Sequence, residues 1–382
     1  MKLRTPDYYD SFACIADRCP DTCCQGWAIV VDEESYVNFQ SIPGPIGERL
    51  RSALQDQDGE HILTCRPDGR CRMLDDDGLC SLQRACGEGA LCQVCDRFPR
   101  FVTQVGLNQE WGLSLSCPEA ARLILTRQEP VTFVRSENDD RTIVCHDVDP
   151  DFYFNLKQAR DRVISLLQDR TLPLPRRVLG LALLADRLQR TRRRFCPRSM
   201  EQVLSNGLPT GKNDFGPGTL AQRRWLLRWL LERPSRRADW HPRLKQALDA
   251  LDALEASAYT AELSAEFARY CENFDGLQEQ FLVYYVNKYL IRACFDGDIL
   301  GALRYSMASW ACVRTLAYAQ WVQGVDPAQD RWDTVTPPDW LTICQQYAAE
   351  TENDEAGCAA LFEALGKRSR RQMRRLLSID GL

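Results

Sequence analysis

The cysteines of this chain are concentrated at one end. The sequence has 382 residues and 18 cysteines, and eleven of these lie within the first 117 residues. Free cysteines otherwise occur singly, as small buried apolar side chains or isolated nucleophiles, and neither use requires close spacing. The clustering therefore indicates a metal site. The eleven are Cys14, Cys19, Cys23, Cys24, Cys65, Cys71, Cys80, Cys86, Cys92, Cys95 and Cys117.

The N-terminal residues bear on whether these cysteines bind a metal or form disulfides. Residues 1–20 contain no apolar segment of the length found in secretory signals and no small-residue cleavage site. We therefore expect a cytoplasmic protein. Because thiols are kept reduced in that compartment, metal binding is favoured over disulfide formation.

Charge and hydropathy exclude two further classes of protein. The formal net charge of −5 argues against general binding to nucleic acid. The most apolar stretch, residues 281–295, is interrupted by Asn287, Lys288 and Arg292, so it cannot cross a bilayer as a free-standing helix. We expect a soluble protein with a large core and no transmembrane segment.

The chain changes character near residue 125. Before it, short mixed segments alternate with glycine-containing turns, whereas after it apolar residues recur at helical spacing. Asp149 followed by Pro150 is typical of a helix start. Further helices are predicted over residues 176–195, 220–231, 242–256, 277–294, 298–321 and 354–377, with loops over 204–219 and 326–338. We predict a mainly α protein, in which a cysteine-rich metal or iron-sulfur domain (residues 1–125) packs on a helical domain (residues 126–382).

Two segments carry the chemistry of the cysteine array. The first has the pattern Cys14-x4-Cys19-x3-Cys23-Cys24, and the second runs from Cys71 to Cys117 and contains the pair Cys92-x2-Cys95. Thiolates select zinc or iron-sulfur clusters over calcium and magnesium. Eleven thiols exceed the four that one tetrahedral zinc takes, so two sites are arithmetically possible. The array therefore indicates a metal without fixing its identity.

Candidate ligands elsewhere in the chain are dispersed. The seven cysteines from Cys145 onward are scattered, and five of them lie in helical stretches, where we interpret them as small core residues: Cys196, Cys271, Cys294, Cys312 and Cys358. His61 precedes Cys65 by four residues and is a weaker candidate ligand. We expect the metal to be held by the N-terminal cysteines.

Motifs along most of the chain resemble those of one known family. They are Pro6-Asp7-Tyr8-Tyr9 with Phe12-x-Cys14, Asp21-Thr22-Cys23-Cys24-x-Gly26-Trp27, Gly78-Leu79-Cys80, Leu91-Cys92-x-x-Cys95-x-x-Phe98-Pro99-Arg100, and Leu113 to Ala121. Together with residues 281–298, these motifs are similar to the flagellin lysine-N-methylases. Asp96 departs from the broader cysteine signature, which has arginine at this position.

The resemblance implies a function. It implies methyl transfer from S-adenosylmethionine to the side-chain nitrogen of flagellin lysines in the cytoplasm, dependent on a 4Fe-4S cluster. Cys65 and Cys86 fall outside the family pattern and are the less secure ligands. The ligands that the resemblance implies are Cys14, Cys19, Cys23, Cys24, Cys71, Cys80, Cys92, Cys95 and Cys117.

The sequence leaves open the site of the methyl donor, the route of methyl transfer and the identity of a catalytic base. No Gly-x-Gly-x-x-Gly loop marks a site for the methyl donor. The Cys-x3-Cys-x2-Cys spacing of enzymes that use an open iron site for radical chemistry on this donor is also absent. We assign no catalytic base, because Tyr284, Tyr285, Asp296 and Asp298 fit a helix face and a helix-ending turn. The alternatives are a structural zinc site with methyl transfer elsewhere, and a non-enzymatic metal-binding scaffold or redox sensor.

Overall fold

The computed structural model describes residues 1–27, 29–139, 142, 147–193, 197–207, 220–254, 261–323 and 338–352, with Leu361 and Leu365. Helices make up most of it, which confirms the prediction of a mainly α protein. They are α1 (Glu33–Ser41), α2 (Gly44–Ala53), α3 (Ser81–Cys86), α4 (Gln93–Arg97), α5 (Pro118–Leu125), α6 (Pro150–Leu167), α7 (Leu174–Arg193), α8 (Pro197–Ser205), α9 (Leu220–Leu231), α10 (Trp240–Ala253), α11 (Ala261–Glu272), α12 (Asp275–Tyr289), α13 (Ala293–Asp296), α14 (Ile299–Gln323) and α15 (Trp340–Thr351).

The start of α6 shows how local sequence sets a helix boundary. The side chain of Asp149 accepts hydrogen bonds from the backbone N–H groups of Asp151 and Phe152, and Pro150 occupies the first helical turn. The cap satisfies N–H groups that have no partner within the helix. The predicted helix start is confirmed. The predicted helix over residues 354–377 lies outside the described residues, apart from Leu361 and Leu365, and so do most of both predicted loops.

The described strands form two small sheets. The strands are β1 (Lys2–Pro6), β2 (Ile29–Val31), β3 (Leu54–Gln57), β4 (Glu60–Leu63), β5 (Arg100–Val105), β6 (Asn108–Leu113) and β7 (Phe133–Glu137). In the first sheet, the order is β5-β6-β1-β7, with β1 parallel to β6 and the other neighbours antiparallel. The second sheet is antiparallel, in the order β2-β4-β3.

Two hydrophobic cores stabilise the described chain. The larger one joins the first sheet to the helices, and α12 and α14 bury nearly their whole circumference in it. The smaller one lies within the cysteine-rich region and contains Phe39, Leu50, Cys71 and Cys92. The domain boundary between residues 125 and 126 stays a prediction. None of the described helices has the length and apolar character needed to cross a membrane.

Candidate functional site

The two cysteine segments lie side by side. The backbone N–H of Cys71 donates a hydrogen bond of 2.7 Å to the carbonyl oxygen of Cys24. The N–H of Gly26 donates one of 3.0 Å to the carbonyl of Gly69, and Gln25 and Arg70 form a β-bridge between these two contacts. Segments separated by more than forty residues are thereby joined through their backbones.

Trp27 ties the first segment to the motif that follows Cys95. Its Nε1–H donates a hydrogen bond of 2.7 Å to the carbonyl oxygen of Cys23, and its ring lies 5.7 Å from the ring of Phe98. The carbonyl oxygen of Trp27 accepts a weak bond from the Cys65 thiol at 3.5 Å. One tryptophan therefore contacts three parts of the cysteine-rich region.

Two pairs of thiols are in direct contact. The sulfur atoms of Cys23 and Cys24 are 4.0 Å apart, close to the separation of about 3.8 Å that a Zn–S bond of about 2.3 Å gives two ligands of a tetrahedral zinc. A hydrogen bond from Cys24 lowers the pKa of Cys23, and a hydrogen bond from Cys95 lowers the pKa of Cys92 to about 7. Each pair thus favours one thiolate, the form that binds metal.

Three of the predicted ligands stand immediately before a helix. Cys80 precedes α3, Cys92 precedes α4 and Cys117 precedes α5. Burial raises the pKa of Cys117 to about 12, while hydrogen bonds from the N–H groups of Ala120 and Glu119 act in the opposite direction. Backbone N–H groups at a helix start stabilise a nearby thiolate.

The thiols act on one another electrostatically. Burial and, to a smaller extent, the neighbouring thiols of Cys65, Cys80 and Cys92 raise the pKa of Cys71 to about 11. Cys19 and Cys23 likewise add to the raised pKa of Cys117. The cysteines of both segments therefore share one neighbourhood.

The described residues contain no group of three or more Cys, His, Asp or Glu side chains that is arranged to hold a metal ion. Cys14 and Cys86 are exposed, and His61 contacts Asp56 at 2.6 Å and stacks on Tyr36. The donor set still suits zinc or an iron-sulfur cluster, because it consists of clustered thiols, two pairs of which are already in contact. The ligand set stays a prediction.

A buried carboxylate contacts the segment that leads into Cys117. The side chain of Glu352, at the end of α15, is fully buried. Its Oε2 accepts hydrogen bonds from Lys288 Nζ at 2.7 Å, Ser114 Oγ at 2.6 Å and the Tyr284 hydroxyl at 3.0 Å. The Tyr284 hydroxyl in turn accepts one from the N–H of Leu115 at 3.2 Å. This polar network joins α12 and α15 to the segment that leads into Cys117.

Aromatic rings complete the surroundings of Lys288. Its ammonium nitrogen lies 4.6 Å from the ring centre of Phe101, 5.5 Å from Tyr289 and 5.6 Å from Tyr284. Such distances allow cation–π attraction. The structure thus holds one lysine of the chain between a carboxylate and three rings.

Sequence reasoning singled out Tyr284 and missed Glu352 and Ser114. The available signal was Lys288, which with Asn287 and Arg292 interrupts the apolar stretch over residues 281–295. The other polar candidates serve the fold, because Asp296 accepts a hydrogen bond from the N–H of Asp298, and Asp298 from that of Gly301. The ring of Tyr285 packs in the aromatic core against Phe281.

The loop between α9 and α10 connects the helices to the cysteine segments. The N–H of Arg236 donates a hydrogen bond of 3.1 Å to Glu350, and Nη1 of Arg236 reaches the carbonyl of Gly26 at 3.5 Å. Burial raises the pKa of Glu350 to about 7, although the Arg236 N–H and the charge of Arg237 act to lower it. A proton-binding group therefore lies where the helices meet the cysteine-rich region.

Comparison with known proteins identifies the family. Residues 160–379, more than half of the chain, match the model of the FliB lysine N-methylase C-terminal domain. The chain belongs to the FliB lysine N-methylase family. The family resemblance of the sequence motifs is confirmed, and the matched residues include α12, α15 and the buried carboxylate between them.

Individual relatives are similar over a shorter part of the chain. The lysine-N-methylases of Salmonella typhimurium and Salmonella choleraesuis are each 29% identical over 138 residues, which cover 33% of this chain and 33% of theirs. The flagellar biosynthetic protein FliU of Salmonella muenchen is 30% identical over 134 residues, covering 33% of this chain and 78% of that protein. The chain thus spans about a third of the length of the lysine-N-methylases it matches. No solved structure matches it.

Proposed function

We propose that the protein transfers a methyl group from S-adenosylmethionine to the side-chain nitrogen of lysines on flagellin, in the cytoplasm, and that it depends on a cysteine-bound 4Fe-4S cluster. The observation that carries the proposed activity is the match to the lysine N-methylase family over more than half of the chain. The relatives named lysine-N-methylase and FliU support lysine as the acceptor and a flagellar protein as the substrate.

The reaction requires an uncharged lysine nitrogen. In a direct displacement, the nitrogen lone pair attacks the methyl carbon, the bond from that carbon to the sulfonium sulfur breaks, and the new ammonium loses a proton. A lysine with its ordinary pKa of about 10.4 is uncharged in roughly one molecule in 2,500 at pH 7. Burial or a nearby base must therefore expose the lone pair. The surroundings of Lys288 show that this fold can enclose a lysine side chain beside a carboxylate and aromatic rings.

The proposed cluster is supported by the arrangement of the thiols. A 4Fe-4S cluster takes four thiolates, so four of the six thiols of Cys23, Cys24, Cys71, Cys80, Cys92 and Cys95 would hold it. When bound, an iron-sulfur cluster supplies a Lewis-acidic or redox-active centre. The backbone bond from Cys71 to Cys24 is the contact that brings the two segments within reach of one another.

The test is a methyl-transfer assay on protein purified without oxygen. With labelled S-adenosylmethionine and flagellin we expect label on flagellin lysines, located by mass spectrometry of the digested product. Elemental analysis and the visible spectrum of the same sample distinguish iron from zinc, because zinc has no visible absorption. Release of S-adenosylhomocysteine without a deoxyadenosyl product indicates displacement, and release of a deoxyadenosyl product indicates a radical route. Absence of label with the metal fully bound would instead favour a binding scaffold.

A further inference from the structure

A half-open cleft of about 450 Å³ lies between the cysteine segments and the helices. Its lining includes Pro20 and Asp21, which follow Cys19, and Pro118 and Glu119, which follow Cys117. Most of the remaining lining residues belong to α15, the start of α10 and the residues just before α10. A volume of this size lies within the range of small-molecule and cofactor sites.

We propose that this cleft binds the methyl donor, a sulfonium nucleoside that carries a zwitterionic amino-acid group. The inference rests on the proposed function and assigns a place to the donor that the sequence left without one.

The charges of the cleft match a ligand that carries both signs. Its described lining has three carboxylates and three guanidinium groups, so their formal charges cancel. These groups are paired with one another, because Arg122 holds Glu119, Arg237 holds Asp21 and Asp239, and Arg243 holds Asp239. A ligand of one sign would leave groups of that sign facing like charge, whereas the donor, with an ammonium, a sulfonium and a carboxylate, can replace partners of either sign. The six groups are Asp21, Glu119, Asp239, Arg122, Arg237 and Arg243.

Hydrogen bonds join the lining of the cleft to both cysteine segments. Asp21 accepts a hydrogen bond of 2.8 Å from Arg237 and one of 3.0 Å from Gln345. Gln345 also donates a bond of 2.8 Å to the carbonyl oxygen of Ser116, the residue before Cys117. The N–H of Asp21 bonds to the Cys19 thiol. A molecule in this cleft would therefore lie against both segments that carry the proposed metal ligands.

The rim offers charged groups that a ligand can engage. Arg122 is half exposed, and its Nε and Nη2 hold both oxygens of Glu119, at 2.8 and 2.6 Å. The carboxylate of the donor would bind at the remaining N–H groups of this half-exposed guanidinium. Arg243 has comparable exposure and holds Asp239 and Gln346.

The experiment measures binding of S-adenosylmethionine and S-adenosylhomocysteine to the full chain, purified without oxygen, by titration calorimetry. Arg122→Ala removes a rim charge, and Thr342→Trp fills the cleft from α15. The matched control is Arg269→Ala, because Arg269 also pairs with a glutamate three residues earlier, on a helix that does not line the cleft. We expect the Kd to rise at least about tenfold in both cleft variants, the effect of losing a charge-assisted bond or the space for the ligand, and to stay within about twofold in the control.

The outcomes separate this inference from the proposed function. If both cleft variants bind the donor as tightly as the parent chain, and the parent methylates flagellin, the cleft is the wrong site and the activity stands. If both variants bind the donor normally but bind flagellin poorly, the cleft receives the protein substrate and the inference is overturned. If the parent chain binds neither donor nor product and transfers no methyl group, the proposed function fails as well.

Discussion

The carbonyl oxygen of Arg236 lies 2.8 Å from the position that a Cβ atom would occupy on Gly69. Gly69 also has a φ of +82°, a conformation that residues with a side chain adopt at a cost. Gly69→Ala therefore adds a steric clash to a conformational penalty. We expect a loss of about 2–3 kcal/mol in the free energy of unfolding, measured by denaturant titration.

Gly59→Ala is the matched control for this substitution. Gly59 has a nearly identical φ of +85°, but a Cβ atom added there would meet no atom within 4 Å beyond its chain neighbours. We expect only the conformational penalty at this position, about 1 kcal/mol. Equal losses in the two variants would show that the loop carrying Arg236 does not press on Gly69.

Local features of the sequence predicted the helices, whereas contacts between distant segments could not be predicted from them. The cap at Asp149 and the apolar spacing of α6 act within one or two turns, so the residues themselves carry the signal. The pairing of β1 with β6 joins residues about a hundred positions apart, and no local sequence pattern predicts it. The same holds for Glu352, whose partners Ser114 and Lys288 come from distant segments. The cysteines were recognisable because their residue type and spacing are themselves unusual.

The pKa of Glu350 makes stability depend on pH. Burial raises this pKa from 4.5 to about 7, with Asp239 acting in the same direction and Arg237 against it. The folded state therefore binds the proton more tightly than the unfolded state. The protonated Glu350 side chain therefore contributes up to about 3 kcal/mol to the free energy of unfolding. This contribution is fully present below pH 4.5 and is lost as the pH rises to 7. Glu350→Gln stays neutral, so the stability of this variant relative to the parent should increase over that interval.

Unfolding titrations at several pH values between 4.5 and 8 measure this difference. Glu60→Gln, at an exposed position in β4, is the control and should follow the parent chain at every pH. A constant difference between Glu350→Gln and the parent across the range would contradict a raised pKa for Glu350.

The pair formed by Lys288 and Glu352 is expected to be asymmetric. Lys288→Met leaves a fully buried carboxylate without its cation, which should cost about 3 kcal/mol. Glu352→Gln leaves an ammonium that is 18% exposed and faces aromatic rings, so the loss should be smaller, about 1–2 kcal/mol. The double variant should recover part of the loss, because neither charge is then left alone.

Unfolding free energies of the two single variants and the double variant give the coupling between these residues. The exposed pair Arg269–Glu266 is the reference, since breaking an exposed ion pair costs less than about 1 kcal/mol. Simple additivity of the two single losses would mean that the side chains do not act as a pair.

Cys23 and Cys92 are the cysteines whose replacement should most reduce metal binding. Each belongs to a contacting pair of thiols, one in each segment, and each has a lowered pKa. Serine keeps the size of the side chain but supplies a hydroxyl, which soft metals and iron-sulfur clusters bind poorly. We expect Cys23→Ser and Cys92→Ser, purified without oxygen, to lose most of the bound metal by elemental analysis.

Cys86→Ser is the control, because Cys86 lies at an exposed position at the end of α3, and this variant should keep the metal. Equal metal content in all three variants would remove these pairs from the ligand set, and equal loss would mean that Cys86 is itself a ligand.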